Sequence, residues 1–193
     1  MTENTSTRAR PLGLEQRQDM IIGVVIPLIL EHGRNLTSKQ IAEACGIAEG
    51  TIFRAFGDKE TLITAAVDRY LDPLALHTAL RSIDRDLSLN DTLASILGLL
   101  RDRFTGVLRM MAATGMQGPP KRRDELSYQF PVIIAELLAP HRAELRVEPE
   151  QVAHYARVLA FASSLPVFGE SIPFDAAEML DLFQHGVVHG TEN

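Results

Sequence analysis

Three cationic side chains, Lys39, Arg54 and Lys59, lie close together in the first third of the chain. A guanidinium group binds phosphate or the hydrogen-bonding edge of a guanine, and an ammonium group binds phosphate as a point charge. For Lys39, a solvated surface position is about as favoured as a phosphate contact. The chemistry that these residue types offer is therefore the noncovalent binding of anions.

No familiar catalytic pattern accompanies these cations. The sequence contains no G-x-S-x-G elbow, no P-loop, no Rossmann glycine pattern and no H-E-x-x-H. Pairs of carboxylates occur, but no pattern positions them for acid–base chemistry. We therefore expect no enzymatic activity, no catalytic residues and no cofactor.

Histidine and cysteine positions offer a weaker case for a metal or redox site. His185 and His189 are four residues apart, as are Glu150 and His154, which is a spacing typical of metal ligands on one helical face. The sequence supplies no third ligand, so surface histidines are favoured and no metal is expected. The single cysteine, Cys45, excludes an internal disulfide and is predicted to be an inert core residue rather than a redox sensor.

Length and composition are those of an ordinary globular protein. The chain has 193 residues, of which 46% are hydrophobic and 23% are charged. The longest apolar run, Met20–Leu30, is shorter than the roughly 20 residues of a membrane-spanning helix. No export signal follows Arg8 and Arg10. We therefore expect a cytoplasmic protein.

The net charge of −6 is unevenly distributed along the chain. Residues 1–60 contain seven Lys or Arg and eight Asp or Glu, and residues 61–193 contain 12 and 17, so the net charges are −1 and −5. An acidic total argues against a protein coated with nucleic acid. The nearly neutral N-terminal part is nevertheless compatible with a small DNA-reading face.

From Leu14 onward, apolar residues recur mostly with helical spacing, and no alternating run is long enough to build a sheet. The sequence therefore predicts an all-α fold of about nine helices, preceded by a flexible arm at residues 1–13. The predicted helices are Leu14–His32, Ser38–Cys45, Glu49–Phe56, Lys59–Tyr70, Pro73–Arg85, Asn90–Thr114, Lys121–Ala139, Pro149–Leu165 and Ala176–His189.

The segment from residue 37 to residue 56, TSKQIAEACGIAEGTIFRAF, has the spacing of a helix-turn-helix. Ala42 is small where another helix must cross, and Gly46, four residues later, can adopt the positive φ that ends a helix. Ile52 follows six residues after this glycine, on the inner face of a second helix. The spacing predicts that Glu49–Phe56 enters the major groove of DNA, and a helical hairpin that only packs is the alternative.

Residues on both sides of this segment resemble the N-terminal module of the TetR family of bacterial transcriptional regulators. The family signature aromatic-x-x-Phe-x-x-Lys-Glu-x-Leu runs here from Phe53 to Leu62, and the first helix ends at Gly33. The resemblance covers about Leu14 to Leu74. It implies a DNA-binding domain over residues 14–72, with its motif at 37–56, and a ligand-binding and dimerisation domain over residues 73–193.

The resemblance also implies which residues contact DNA. Thr37, Ser38 and Lys59 match family positions that contact phosphate, and Gly50 and Thr51 match positions that approach the bases. The complete predicted DNA-binding set is Thr37, Ser38, Lys39, Glu49, Gly50, Thr51, Phe53, Arg54 and Lys59. A homodimer would bind a pseudo-palindromic operator in double-stranded DNA, and an unknown, largely apolar effector would release this repressor.

Three residues depart from what DNA binding favours. Phe53 stands where tyrosine is usual and therefore lacks a phosphate-binding hydroxyl, and Ala48 stands where serine often caps the recognition helix. Glu49 brings a negative charge near DNA, where it either favours the positive helix end or accepts a hydrogen bond from cytosine. These departures motivate a second hypothesis: a dimeric ligand-binding or protein-interaction module whose DNA-binding face has decayed.

The predicted C-terminal domain contains a helix, Asn90–Thr114, that is apolar on more than one face. Methionines are flexible enough to line an adaptable pocket, although core packing is favoured for any one of them. The predicted pocket residues are Leu100, Phe104, Met110, Met111, Phe130, Ile134 and Phe161.

The last two predicted helices contain small residues, which allow helices to approach closely. The resemblance implies that the dimer forms there, and packing within one chain is the alternative. The predicted interface residues are Ala153, Ala156, Ala160, Ser163, Ala177, Leu180 and Phe183.

Overall fold

Glycines with positive φ end the first three helices of the chain. The computed structural model describes residues 13–117, 129–165 and 176–188. Gly33, Gly46 and Gly57 adopt φ values of 56°, 64° and 83°, which side chains with a Cβ rarely tolerate. The N-terminal helices are α1 (Leu14–His32), α2 (Ser38–Cys45), α3 (Glu49–Phe56) and α4 (Lys59–Tyr70), with a short 3₁₀ turn at Gly33–Asn35 after α1. All four helices have the predicted bounds.

The second half of the chain is also helical in the described residues. Its helices are α5 (Leu74–Arg81), α6 (Leu89–Thr114), α7 (Phe130–Leu138), α8 (Pro149–Ser163) and α9 (Ala176–Val187), with a 3₁₀ segment at Ala139–Glu144. An isolated antiparallel bridge joins Leu145 to Val188, and the Arg146 amide donates to the Val187 carbonyl at 2.8 Å. The predicted all-α fold class is confirmed.

Helix boundaries differ from prediction mainly around α5. This helix ends at Arg81 instead of Arg85, because the chain turns at Ser82, whose hydroxyl donates to the Ala79 carbonyl at 2.8 Å. The Asp86 amide then donates to the Asp84 carboxylate at 3.0 Å, so the last predicted helical residues form a turn instead. Residues 121–128 and His189, which were predicted to be helical, lie outside the described residues.

The chain divides into two compact units after Tyr70, two residues before the predicted domain boundary. In the first unit, α1 packs against α2, α3 and α4 through a core of buried aliphatic side chains. Its fully buried members include Ile21, Val25, Leu36, Ile41, Ile52 and Leu62.

In the second unit, α8 packs against α6 and α7, and α5 packs against α7 and α6. The core combines large aliphatic residues of α6 and α7 with alanines of α8. Because the alanine side chain occupies little space between helices, it allows α8 to lie close to its neighbours. Among the described helices, none is both long and apolar enough to span a membrane.

Candidate nucleic-acid interface

The turn between α2 and α3 orients the second of these helices. Gly46 lies in the left-handed region, and the Ile47 amide donates to the Ala42 carbonyl at 3.0 Å. Ala42 is 5% exposed and Ile52 is fully buried, so the small residue and the aliphatic residue both face inward. The helix-turn-helix geometry predicted from the spacing is therefore present, with Ile47 half-buried in the turn.

The outward face of α3 presents most of the residues that were predicted to meet bases. Glu49, Gly50, Phe53 and Arg54 are exposed, and Thr51 is half-buried. The Phe53 ring is an exposed apolar surface, with 44% of the residue accessible. Glu49 and Phe53, like Gly50 and Arg54, are four residues apart, so these exposed residues are neighbours on one side of α3.

Arg54 lies along the surface of α3. Its Nε donates to the Gly50 carbonyl at 3.2 Å, one helical turn back. A guanidinium has five N–H donors, so this contact leaves both terminal nitrogens available for phosphate or guanine. The contact also reduces the number of side-chain conformations that binding would have to restrict.

Thr37, Ser38 and Lys39 begin α2. The Thr37 hydroxyl accepts from the Gln40 backbone amide at 3.2 Å, and the Thr37 backbone amide donates to the Gln40 side-chain oxygen at 2.9 Å, which completes a capping box. This hydroxyl is therefore used in capping the helix. The Lys39 side chain is 80% exposed and its Nζ lies 3.9 Å from a Glu43 carboxylate oxygen, a surface pair of small energetic weight.

Lys59, at the start of α4, has a structural partner that the sequence did not reveal. Its Nζ donates to the Leu36 carbonyl at 3.1 Å and lies 3.9 Å from a Glu60 carboxylate oxygen. The ammonium therefore ties the start of α4 to the loop before α2. Because an ammonium has three donors, the same side chain can still reach a phosphate.

Two further residues that support the face were not predicted from the sequence. The Asp58 carboxylate accepts from the Thr61 amide at 2.6 Å, which caps α4, and hydrogen bonds from Thr61 lower the pKa of this carboxyl. The spacing of aspartate three residues before Thr61 is a recognisable capping signal. Gln18 of α1 donates to the Ala55 carbonyl of α3 at 2.7 Å, and no sequence pattern signals this contact.

The N-terminus of α3 lacks a side-chain cap, as the sequence predicts. Ala48 occupies the cap position with extended backbone and offers no side-chain acceptor. The Thr51 amide donates to the Ala48 carbonyl at 2.8 Å. Glu49 follows in the first turn, where its charge is favourable to the helix dipole.

In the second unit, the predicted pocket residues differ in burial. Leu100, Met110 and Ile134 are fully buried, whereas Phe161 is 45% exposed and meets the Phe104 ring edge-on at 5.5 Å. Phe104, Met111 and Phe130 are half-buried. A cavity of about 210 Å³ lies between α6 and α9, and its lining residues are Ala94, Leu97, Gly98, Arg101, Ala177, Met179 and Leu180.

The predicted dimer residues lie mostly on the inward faces of α8 and α9. Ala153, Ala156 and Ala160 are fully buried in the core of their own chain, and Phe183 is 7% exposed. The Ser163 hydroxyl donates to the Ala160 carbonyl at 3.0 Å within α8. Leu180 is half-buried and Ala177 is exposed. Within one chain the small alanines therefore pack internally, which is the alternative stated for them, and the interface set stays a prediction.

The outward faces of the same two helices are apolar. Tyr155 and Val158 of α8 are 47% and 51% exposed, and Leu182 of α9 is 72% exposed. An open groove of about 550 Å³ runs between them, and its lining also includes Leu159, Ala162, Phe183 and Gly186. We refer to this surface, from Tyr155 and Val158 to Leu182, as the α8–α9 groove.

The described ranges contain no group of three or more His, Cys, Asp or Glu side chains that is placed to hold a metal ion. His154 is exposed on α8, and Nδ1 of His185 lies 3.3 Å from an Asp181 carboxylate oxygen. His189 lies outside the described residues. Cys45 is half-buried, and burial raises the pKa of its thiol, which disfavours the reactive thiolate.

Residues 26–66 match the family described as "Bacterial regulatory proteins, tetR family". This match spans the end of α1, the helix-turn-helix and most of α4, which are the elements that build the face described above. The first unit therefore contains a TetR-type helix-turn-helix module, and this module supports a role in DNA-binding transcriptional regulation.

Solved structures with the same fold cover almost the whole chain. The TetR transcriptional regulator SCO0520 from Streptomyces coelicolor is 22% identical, with a TM-score of 0.56 over 89% of this chain and 98% of that one. NalD, the secondary repressor of the MexAB-OprM multidrug efflux pump in Pseudomonas aeruginosa, is 19% identical, with a TM-score of 0.50 over 92% and 98%. The superantigen PfiT is 12% identical, with a TM-score of 0.62 over 93% and 100%. At these identities the likeness establishes the fold alone, and no curated protein matches the sequence.

Proposed function

We propose that the protein is a homodimeric, sequence-specific transcriptional repressor that a small-molecule effector releases from DNA. The observation that carries the proposal is the construction of α3. Ile52 is fully buried against the rest of the first unit, while Gly50, Phe53 and Arg54 on the same helix are exposed. A short helix that is packed against the protein on one side and exposed on the other can enter a major groove.

Each exposed residue of α3 has a role that its chemistry permits. Apart from the adjoining residues and the local helix backbone, no atom lies within 4 Å of the position that a Cβ on Gly50 would occupy, so DNA backbone or bases can approach closely there. Arg54 supplies donors for guanine or phosphate, and Phe53 supplies apolar contact. At the start of α2, Ser38 and Lys39 face phosphates, and Thr37 stabilises the helix end that presents them.

A second copy of the chain is the proposed occupant of the α8–α9 groove. An exposed apolar surface of this kind is favourable to bury, and isologous dimers pair one surface with itself. Two recognition helices would then read half-sites about 34–36 Å apart on a pseudo-palindromic operator. An effector must bind the DNA-compatible and DNA-incompatible states unequally in order to release the repressor.

The repressor role is proposed by analogy with NalD, which has this fold and is described as a repressor. The acidity of the second unit is compatible with the same role, because a negative domain limits nonspecific attachment to DNA and leaves binding to a few placed contacts.

The test of DNA binding is selection of fragments from random DNA, followed by gel-shift titration at fixed salt. We expect one pseudo-palindromic sequence to be enriched, with binding that weakens as salt rises. Arg54→Ala should reduce affinity for this sequence by about tenfold to hundredfold. Arg85→Ala removes an exposed arginine of the second unit and serves as the matched control. Failure to enrich any sequence, or equal affinity of the two variants, would contradict the proposal.

The test of the dimer is sedimentation of the purified protein. We expect a dimer that Val158→Glu together with Leu182→Glu converts to a monomer, because both substitutions place charge in the α8–α9 groove. Val132→Glu on α7 is the control, since Val132 is also exposed, at 57%. If the double variant remains dimeric, the interface lies elsewhere.

A second candidate function is a dimeric ligand-binding or protein-interaction module without operator recognition. Two observations favour it: Phe53 exposes an apolar ring on α3, and the Lys59 ammonium already donates to the Leu36 carbonyl. The superantigen PfiT also has this fold, so the fold does not by itself decide the function. This alternative predicts weak, sequence-independent DNA affinity, and one selective operator would exclude it.

A further inference from the structure

The cavity between α6 and α9 has an apolar lining and a single cation. Ala94, Leu97 and Gly98 of α6 line it from one side, and Met179 and Leu180 of α9 line it from the other. None of its lining residues is acidic. Apart from the adjoining residues and the local helix backbone, no atom lies within 4 Å of the position that a Cβ on Gly98 would occupy, so the glycine contributes open space.

Arg101 is the cation of this cavity, and it differs from a neighbouring arginine on the same helix. The Arg103 guanidinium donates to the Asp72 carbonyl at 3.1 Å. Arg101 is likewise half-buried, yet no hydrogen bond, ion pair or ring contact engages its guanidinium within the described residues. A half-buried guanidinium of this kind is favourable for binding an anion, because a carboxylate supplies two acceptors for its paired N–H donors.

We infer that this cavity binds a small carboxylate with an apolar body, which would be the effector of the regulator proposed above. The carboxylate would pair with the Arg101 guanidinium, and the apolar part would fill the space beside Gly98. The cavity volume of about 210 Å³ is below the roughly 300–1,000 Å³ of pockets for drug-sized molecules. The ligand is therefore a single ring or a short chain.

The position of the cavity also indicates how a bound ligand would affect the proposed dimer interface. Met179 and Leu180 contact the cavity, and Leu182 and Phe183, a few residues later on α9, line the α8–α9 groove. Gln184 holds α9 to the start of α6 through a hydrogen bond to the Asn90 carbonyl at 3.1 Å. A ligand between α6 and α9 would alter the helix that carries the proposed dimer contact.

The experiment compares carboxylates with uncharged molecules of the same shape. Benzoate, hexanoate, benzamide and hexanamide are titrated into the full-length protein at constant ionic strength, and binding is measured by calorimetry and by the shift in thermal unfolding. We expect at least one carboxylate to bind and to raise the unfolding temperature, and the matching amide to bind about tenfold more weakly or less. Equal binding of acid and amide, or no binding by either acid, would overturn the inference.

Substitutions in the cavity test whether the carboxylate binds there. Arg101→Gln should weaken carboxylate binding by about tenfold to hundredfold, because a charge-assisted pair is lost. Arg109→Gln removes an exposed arginine from the same helix and should leave binding unchanged. Gly98→Leu should fill the cavity and block binding, whereas Gly98→Ala should retain most of it. If Gly98→Leu fails to fold, the comparison of Arg101→Gln with Arg109→Gln decides, and equal affinities would contradict the site.

Because this inference rests on the proposed function, the two are tested separately. A selected operator bound by the protein, with no carboxylate binding, would reject the cavity as the effector site and leave the regulator intact. Carboxylate binding that depends on Arg101, without a selective operator, would support the site and reject the repressor. Carboxylate binding that weakens operator binding in the wild type, but not in Arg101→Gln, supports both.

Discussion

The two units of the chain place their candidate residues differently. In the first unit, most of the residues predicted to meet DNA are exposed at the start of α2 and along α3, and Ile41 and Ile52 are fully buried behind them. In the second unit, several residues predicted to contact a ligand or a partner, such as Leu100 and Ala156, are fully buried in the core of their own chain. A recognition surface requires one helix with two distinct faces, whereas a pocket or an interface requires several helices in a particular arrangement.

The difference between the two units shows where local sequence is sufficient to predict which side of a helix faces outward. The spacing of Ala42, Gly46 and Ile52 determines which side of α3 faces inward, so the remaining positions face outward. In α8, by contrast, small residues and large apolar residues alternate around the helix, and both are compatible with contact to another helix. Only the positions of α6 and α7 decide that the alanines face the core and Tyr155 and Val158 face outward.

The largest effect that we expect from a single substitution is in the first unit. Ile52→Ala should reduce the free energy of unfolding of this unit by about 2–5 kcal/mol, because it leaves a cavity in the core behind α3. Hydrogen exchange of α2 and α3 amides, together with urea unfolding, measures the change. Phe53→Ala at the neighbouring exposed position is the control and should have a small effect. A similar loss for both variants would contradict the two-faced description of α3.

In the second unit, overpacking tests the alternative roles of the α8 alanines. Ala156→Leu should reduce the free energy of unfolding by about 1–3 kcal/mol, since the added atoms have no space in the core. Val158→Leu, at an exposed position of the same helix, should be nearly neutral for folding. If Ala156→Leu changes only the oligomeric state, as seen by sedimentation, the original assignment of this alanine to the interface is correct.

A buried histidine makes the stability of the second unit depend on pH. His77 of α5 is 1% exposed, and neither ring nitrogen has a hydrogen-bond partner within the described residues. Burial lowers the pKa of His77, Arg81 on α5 and Arg103 on α6 lower it further, and Asp72 opposes them. The neutral ring is therefore the favoured form in the folded protein.

The lowered pKa means that the unfolded chain binds a proton first as the pH falls. Stability should be unaffected by His77 above its ordinary pKa of 6.5, should decline below it, and should level off below the lowered folded-state pKa. For every tenfold by which folding weakens proton binding to His77, the stability at low pH is about 1.4 kcal/mol smaller. The measurement is urea unfolding of the wild type and of His77→Leu between about pH 5 and pH 8, a range that brackets the ordinary pKa of histidine. The difference between the two pH profiles gives the contribution of His77 to stability. Parallel pH profiles would show that His77 does not contribute.

The smallest expected effect is a gain in stability at the recognition helix. Ala48→Ser introduces a side-chain cap where none is present, and we expect about 1 kcal/mol of stabilisation in the first unit. Ala44→Ser, at an exposed position within α2, is the control and should not stabilise. Hydrogen exchange of the α3 amides distinguishes a local capping effect from a general one, and equal effects of the two serines would argue against capping.

Several features of the fold were accessible from the sequence because they depend on neighbours along the chain. Helix spacing, the glycines at 33, 46 and 57 and the capping pair Thr37 and Gln40 act within a few residues of one another. For the same reason, the bounds of α1 to α4 agree with the prediction. The Asp58 cap is equally local, because the amide that donates to it lies only three residues further along the chain.

Other parts of the candidate site depend on residues far apart in sequence. The contact of Gln18 with the Ala55 carbonyl and that of Lys59 with the Leu36 carbonyl join residues 37 and 23 positions apart. No pattern of residue types predicts such a pair, because each partner is a backbone carbonyl that every residue possesses. The cavity beside Arg101 likewise requires α6 and α9 to meet, with a glycine opposite Met179 and Leu180.

The sequence by itself therefore determined the all-helical fold, the helix-turn-helix and the identity of its outward residues. These follow from backbone preferences and from an apolar period that each helix carries on its own. Only the tertiary structure decided which face of α8 is internal, where a cavity remains and which cations have partners. Those properties depend on how the helices pack against one another. The sequence pattern shows which residues are apolar or charged, but it does not show which distant residue lies next to them.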